Sequence, residues 1–317
     1  MTKSVLEAAA PALDAQAGAA PLNGLAPLPH WGLIRAAGEQ AAQFLQGQLT
    51  QDMVLMKPGN ATLAGYCNPQ GRLLASFIAC KRSPQEFWLV CSRDLLARTL
   101  KKLSMFVLRA KLKLTDASDE LALYGLIGAA AHSIPVGAES PEVSSFLAPL
   151  PPADGTFRAL WIGPAGSPPP PGPPLSSALW DWAAARSGVA MVSAPVVQAF
   201  VPQMLNYESV DGISFKKGCY PGQEVVARSQ FRGAIKRRAF VGQVDGAALA
   251  GQEVFSPADP SQPVGLIAQA ATAPQAGTAV IVSMQLAAAQ ARELRVGAVG
   301  GPCLSDLHMP YPLLEDI

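Results

Sequence analysis

The chain has 317 residues, half of them hydrophobic and 15% charged, which supports two or three domains with a substantial core and excludes a disordered chain. With 24 basic against 23 acidic residues the net charge is +1, so no global field draws in nucleic acid or a membrane, and any electrostatic role must be local. Five scattered cysteines without a C-x-x-C pair or metal-ligand spacing to the three histidines exclude a disulfide scaffold and a zinc site, and no apolar run reaches the roughly 20 residues of a membrane span.

The first 25 residues are rich in alanine and proline, broken by Glu7 and Asp14, and read as a disordered tail on a soluble protein of the reducing cytoplasm. Order is expected from Trp31, where Trp31–Arg35 alternates as a strand before a helical pattern at Ala41, Phe44, Leu45 and Leu49. Ala61–Cys67 and Arg72–Cys80 read as strands joined by the turn Asn68-Pro69-Gln70-Gly71, followed by a strand at Glu86–Cys91. Asp94–Phe106 places four leucines on one helical stripe opposite Arg98, Lys101 and Lys102, and strands return at Lys111–Thr115 and Leu121–Leu126.

The run from Pro164 to Pro174 cannot be regular structure, because proline lacks the amide donor and fixes φ, so it is a surface loop or stiff linker. Ser176–Arg186 then reads as a helix carrying Trp180, with Gly188 as its terminator. Beyond residue 236 short β-like segments at 239–244, 264–268, 279–282 and 294–299 suggest a small antiparallel barrel. The pattern as a whole is α+β, with helices layered on sheets. Its expected divisions are a tail over 1–25, an α+β subdomain over 26–126, a central one over 127–235 and the barrel over 236–317.

Chemistry is densest from Ile213 to Arg228. Gly218 and Gly222 permit a tight turn, Pro221 can start a helix and Gln223–Ser229 looks helical, which sets Cys219 just before a helix N-terminus. Lys216, Lys217 and the helix end would favour its thiolate, marking a reactive or ligand-contacting cysteine; the alternative is a small apolar cysteine beside a structural turn. From Lys216 to Arg238 seven basic residues face the single acid Glu224, a patch suited to RNA phosphates or to the carboxylates of a glutamate tail, or else a solvated face. Trp31 and Trp180 are either core anchors or stacking surfaces for a flat heterocycle. None of the histidines, His30, His132 and His308, stands at a catalytic spacing.

The segment Lys217-Gly218-Cys219-Tyr220-Pro221-Gly222-Gln223-Glu224 resembles the signature of the YgfZ family, folate-binding proteins related to the glycine-cleavage T-protein. The resemblance extends to Phe44–Thr50, Asn68–Gly71, Phe200–Gln203 and Leu307–Pro312, and spans most of the chain from Trp31. It implies a T-protein-like ring of three subdomains, ferredoxin-like α+β layers closed by the C-terminal barrel, with tetrahydrofolate or a related reduced folate near the centre. It further implies Trp31 and Trp180 at the folate site, Cys219 as the acting group, and Lys217, Tyr220, Gln223, Glu224 and Arg228 on the functional surface around it. The implied role is support of iron–sulfur cluster assembly or repair and thereby of tRNA modification. The partners are then folate, iron–sulfur enzymes or assembly proteins and tRNA, without a membrane.

One departure bears on activity. Where the related transferase carries an aspartate pair, this chain has Ala75-Ser76, and neither residue can orient an amine or act as a base near neutral pH. An aminomethyl or methyl transferase therefore stands as a rival reading, beside a tRNA-binding protein using the patch from Lys216 to Arg238.

Overall fold

The computed structural model describes residues 22–132, 145–232, 235–291 and 293–314. The alternation and turn signals of the N-terminal half produce a five-stranded antiparallel sheet in the order β3-β4-β5-β2-β6. Its members are β2 (Trp31–Ala37), β3 (Ala61–Cys67), β4 (Leu73–Ser83), β5 (Glu86–Ser92) and β6 (Lys113–Asp116). The Asn68–Gly71 turn forms as expected, closed by the Gly71 N–H on the Asn68 carbonyl at 2.9 Å and by the Asn68 side-chain oxygen accepting from Arg72 N–H. Helix α1 (Ala41–Gln46) and the amphipathic α2 (Arg93–Ser104) cover one face, burying Leu45, Leu96 and Leu103 with Ile34, Phe77 and Leu89.

The second sheet has four antiparallel strands in the order β1-β7-β9-β8. They are β1 (Gly24–Pro27), β7 (Leu121–Ile127), β8 (Phe146–Ala153) and β9 (Thr156–Pro164), with the one-turn α3 (Ala129–His132) after β7. The tail expected over residues 1–25 lies outside the described residues up to position 21, and order begins earlier than Trp31. Leu25 and Ala26 are buried, and all four residues of β1 pair with β7, which gives this short apolar segment a sheet edge to complete. The proline-rich run is a surface loop at its start, but its end is stitched to β1: Leu25 N–H donates to Pro173 O at 3.0 Å and Leu175 N–H to Leu25 O at 2.8 Å.

Helix α4 (Ser177–Arg186) is capped by the Ser176 hydroxyl, which accepts from Leu179 N–H at 3.2 Å. It packs against β1 and β8 on one side and against the third sheet on the other. That sheet has six antiparallel strands in the order β14-β11-β12-β13-β10-β15. They are β10 (Arg237–Val244), β11 (Glu253–Ser256), β12 (Asp259–Thr272), β13 (Thr278–Gln285), β14 (Arg295–Val296) and β15 (Leu304–His308). Its two edges approach each other at the Arg295–Cys303 bridge, with Val296 N–H donating to Pro302 O at 3.1 Å and Leu304 N–H to Leu294 O at 2.9 Å. The strand expected over 294–299 shrinks to two residues, because Gly297 turns the chain with a φ of 80°. The fold is thus a sheet-rich mixture of α and β. No helix among the described residues is long and apolar enough to cross a membrane.

Candidate functional site around Cys219 and the tryptophan pair

Four segments distant in sequence meet at the signature loop. Lys217, on a coil stretch between the 3-10 turns at 202–210 and α5 (Gln223–Phe231), points inward and is buried. Its ammonium donates to the carbonyls of Gln46 and Leu49, the latter at 2.5 Å, where the chain leaves α1. It also sits 4.7 Å from the centre of the Tyr220 ring. Burial lowers the Lys217 pKa from 10.5 to about 8, against the opposing pull of Asp52 and Cys219. Lys217 therefore does not lie free beside the sulfur, as the sequence suggested. It fastens the signature loop to the Phe44–Thr50 segment, and Thr50 extends the seam by donating from its hydroxyl to Gly212 O at 2.6 Å.

The hairpin turn is the third segment. Gly222 caps α5 with φ at 81°, and a Cβ there would stand 2.4 Å from Asn68 O and 2.6 Å from Gly71 Cα. Only glycine allows so close a crossing of two backbones in that conformation. This left-handed cap stands between Pro221 and α5, which begins at Gln223 as expected and runs two residues past Ser229. The fourth segment, Phe200–Gln203, is tied in by Leu73 N–H to Phe200 O at 2.8 Å and by the Gln203 amide donating to Val226 O at 2.7 Å.

Cys219 stands on the outer side of this junction and is the exposed member of the five cysteines. Cys67 and Cys91 are buried with thiol pKa values pushed up to about 12, and Cys80 is pushed up further, all three chiefly by burial, which leaves them in the thiol form. Glu224 and Arg228 are exposed and bond to each other across one helical turn at 2.5 Å, while Tyr220 is buried with its hydroxyl pKa raised by burial. The Gln223 N–H reaches Tyr220 O at 3.2 Å.

The basic patch is smaller in space than in sequence. Lys217 is buried, Arg238 is buried in an ion pair with Glu208, and Arg228 is engaged by Glu224; Lys216, Arg232 and Lys236 remain as exposed cations. No cluster of His, Cys, Asp and Glu among the described residues could hold a metal ion.

The tryptophan pair forms a second centre. Trp31 and Trp180 meet edge to face with ring centres 6.4 Å apart, both buried in the core shared by the first two sheets. Trp180 lies flat on Gly125 of β7, where any Cβ would fall 2.4 Å from the indole. Above the same ring, 4.3 Å from its centre, is the guanidinium of Arg158 on β9, itself buried and held near pKa 9 by desolvation, partly offset by Asp181. Arg158 Nη1 has a long bond of 3.4 Å to Pro151 O, while Arg158 Nε and Trp180 Nε1 are buried with no protein partner. Two adjacent orphaned donors cost roughly 1–3 kcal/mol each unless something accepts from them. Beside them, His30 pairs with Asp181 at 2.9 Å and packs on the edge of Trp31.

Sequence reasoning missed Arg158. Its signal was a lone charge within the apolar run Phe157–Ile162, a position that must be buried once that run is a strand. The hydroxyl of Ser76, at the transferase carboxylate position, is buried and accepts from Val192 N–H at 2.8 Å.

The linked behaviour of Lys217 is measurable. Because its folded pKa lies below the unfolded value, the unfolded chain binds more protons between about pH 8 and 10.5, so unfolding free energy should rise with pH across that window. In Lys217→Met this rise is lost. Denaturant unfolding of both proteins on either side of the window should show a stability gap that changes in favour of wild type as pH increases; parallel curves would place Lys217 in an ordinary solvated setting.

Comparison with known proteins agrees with this geometry. The GCVT N-terminal domain family matches residues 23–139. A protein of Edwardsiella ictaluri named tRNA-modifying protein YgfZ is 34% identical over 231 residues, covering 67% of this chain and 69% of its own length. One of the same name from Colwellia psychrerythraea is 30% identical over 227 residues, with 67% and 69% covered. The crystal structure of glycine cleavage system aminomethyltransferase T from Bartonella henselae superposes with a TM-score of 0.60 at 16% identity, over 90% of this chain and 84% of that one, a likeness of fold alone. With its signature segments joined around Cys219 and relatives at this identity and coverage, the chain belongs to the YgfZ family.

Proposed function

We propose that this protein is a reduced-folate-binding accessory factor in tRNA modification, acting through iron–sulfur enzymes or their assembly proteins, with Cys219 as its reactive group. The observation that carries the folate reading is the pair of orphaned buried donors, Arg158 Nε and Trp180 Nε1. The C4 carbonyl of a reduced pterin offers two acceptor lone pairs on one flat edge, which matches two donors beside an indole. Arg158 and Trp180 would hold that edge, with Trp31 flanking it; the side chains that seal the pair from solvent must part to admit a ligand. Bound folate would supply one-carbon chemistry. The three sheets are then the cores of three subdomains in a ring about this centre, the second drawing β1 and most of β7 from outside residues 127–235 and the last closed into a barrel across the Arg295–Cys303 bridge.

The role in tRNA modification follows the relatives that carry that name. Direct tRNA contact would fall to Lys216, Arg232 and Lys236 rather than to the whole basic run. A folate-dependent aminomethyl or methyl transferase is the weaker alternative, because the Ser76 hydroxyl is engaged by the backbone and no carboxylate replaces it.

Titrating tetrahydrofolate against intrinsic tryptophan fluorescence tests the proposal. Saturable quenching is expected in wild type and in Cys219→Ala. Trp180→Phe and Arg158→Gln each keep much of the packing volume and should bind about tenfold more weakly, as loss of one buried hydrogen bond dictates. In cells lacking the protein, Cys219→Ala should then fail to restore modified tRNA nucleosides. Absence of saturable binding, or equal affinity in both site variants, discards the folate centre.

A further inference from the structure

The turn that follows α2 presents side chains that folding has left uncovered. Met105 is 67% exposed, Phe106 51% and Leu108 86%, three large apolar residues within four positions. A soluble surface seldom gathers such residues without a partner. Between Leu95 and Thr115 the chain has six basic residues and no acid. Of these, Arg98, Lys101, Lys102, Arg109 and Lys113 make no ion pair among the described residues, and only Lys111 is engaged, by Glu39 at 3.2 Å.

The surface is also concave on both sides of the turn. One hollow of about 350 Å3 lies between Arg98, Lys101, Lys102, Met105 and Phe106, and another of about 400 Å3 between Gln40, Gln43, Phe44, Arg109 and Ala110. These depressions are shallow and open, and a protein segment can seat individual side chains in them where a bilayer surface would leave them unfilled. The uncompensated positive rim requires negative charge opposite it, and the methionine, phenylalanine and leucine require apolar anchors.

We propose that this turn is a docking surface for an acidic amphipathic segment of another protein, whose apolar side chains seat beside Met105, Phe106 and Leu108 while its carboxylates meet Arg98, Lys101, Lys102 and Arg109. The surface shares no residue with the tryptophan pair or with the Cys219 loop, so it stands apart from the folate reading.

The test uses the full chain and a labelled amphipathic helical peptide bearing leucine on one face and glutamate on the other, followed by fluorescence anisotropy. Wild type should bind it, and binding should weaken as added salt shortens the screening length. Met105→Ser/Leu108→Ser and Lys101→Glu/Lys102→Glu should each weaken binding by about tenfold or more. Circular dichroism of both double variants, altered only at surface positions, should match wild type. A peptide with lysine in place of glutamate should not bind. No binding of the acidic peptide, or binding that both double variants retain, overturns the proposal. So does a preference for phosphatidylserine-containing vesicles or for bulk tRNA over the peptide when that preference is lost in the same variants, since the surface would then serve a membrane or RNA.

Discussion

Replacing Glu208 with alanine should lower the unfolding free energy by about 3–5 kcal/mol, the usual consequence of stranding one member of a buried ion pair. Glu208 lies on the 3-10 turn at 207–210 and Arg238 on β10, so their bond ties the segment leading to the Cys219 loop to the C-terminal sheet. Both side chains are buried, and Arg238 also reaches Gln203 O at 3.4 Å. Removing the carboxylate leaves a guanidinium that cannot neutralise itself near physiological pH and is largely shielded from solvent by burial. Glu208→Leu/Arg238→Met, which removes both charges, should recover most of the loss. Urea unfolding of the single and double variants measures this; a single variant within about 1 kcal/mol of wild type would be that of a solvated surface pair. Neutralising Arg238 to probe tRNA binding would accordingly test folding instead, and Arg232 and Lys236 are the informative positions.

Gly222→Ala should be nearly as damaging and far more local in its chemical effect. The left-handed φ of 81° costs an L residue about 1–2 kcal/mol, and the new methyl would overlap two backbone groups of the Asn68–Gly71 turn, adding about 1–3 kcal/mol for displaced packing. Neither obstacle can swing aside, because both are main chain. The hairpin and α5 must separate, and the cap that sets the direction of the Cys219 loop is lost. Denaturant unfolding should show the loss of stability, and the rate of Cys219 alkylation by iodoacetamide should depart from wild type, while Gly218→Ala, whose Cβ meets no atom within 4 Å, should leave both nearly unchanged. Equal alkylation rates in Gly222→Ala and wild type would break the link between the hairpin and the cysteine.

Local signals made much of the first sheet, and one strand of the second, legible. Ala61–Cys67 is recovered to the residue, and Glu86–Cys91 and Leu121–Leu126 to within one, because alternation, β-branched or aromatic content and a turn agree at each. Strands β8 and β9 escaped notice for physical reasons. β8 reads Phe-Leu-Ala-Pro-Leu-Pro-Pro-Ala, and three prolines argue against a strand unless it lies at an edge, which is where β8 lies. β9 carries a buried arginine, which hydropathy marks as surface. At the site, Cys219 and its turn were legible from glycine, proline and charge, and the resemblance named the tryptophans. The inward course of Lys217 and the pairing of Arg238 with Glu208 were not, since a lysine or arginine among basic neighbours looks solvated until the fold brings carbonyls or a carboxylate to it.

Lys217 holds the segment after α1 through the carbonyls of Gln46 and Leu49, and on the other flank Lys81, also buried, donates to the carbonyls of Met53, Val54 and Met56. The hydrogen bonds of each ammonium go to main-chain carbonyls. Such clasps recognise the path of the segment, so the exposed Val54 and Leu55 can be exchanged while the loop keeps its shape, whereas Met53 is buried in the core and the Asp52 carboxylate accepts from the Val54 and Leu55 N–H groups. Drift at those two exposed positions is therefore compatible with an unchanged seat for the cysteine, whereas exchange of either lysine is not.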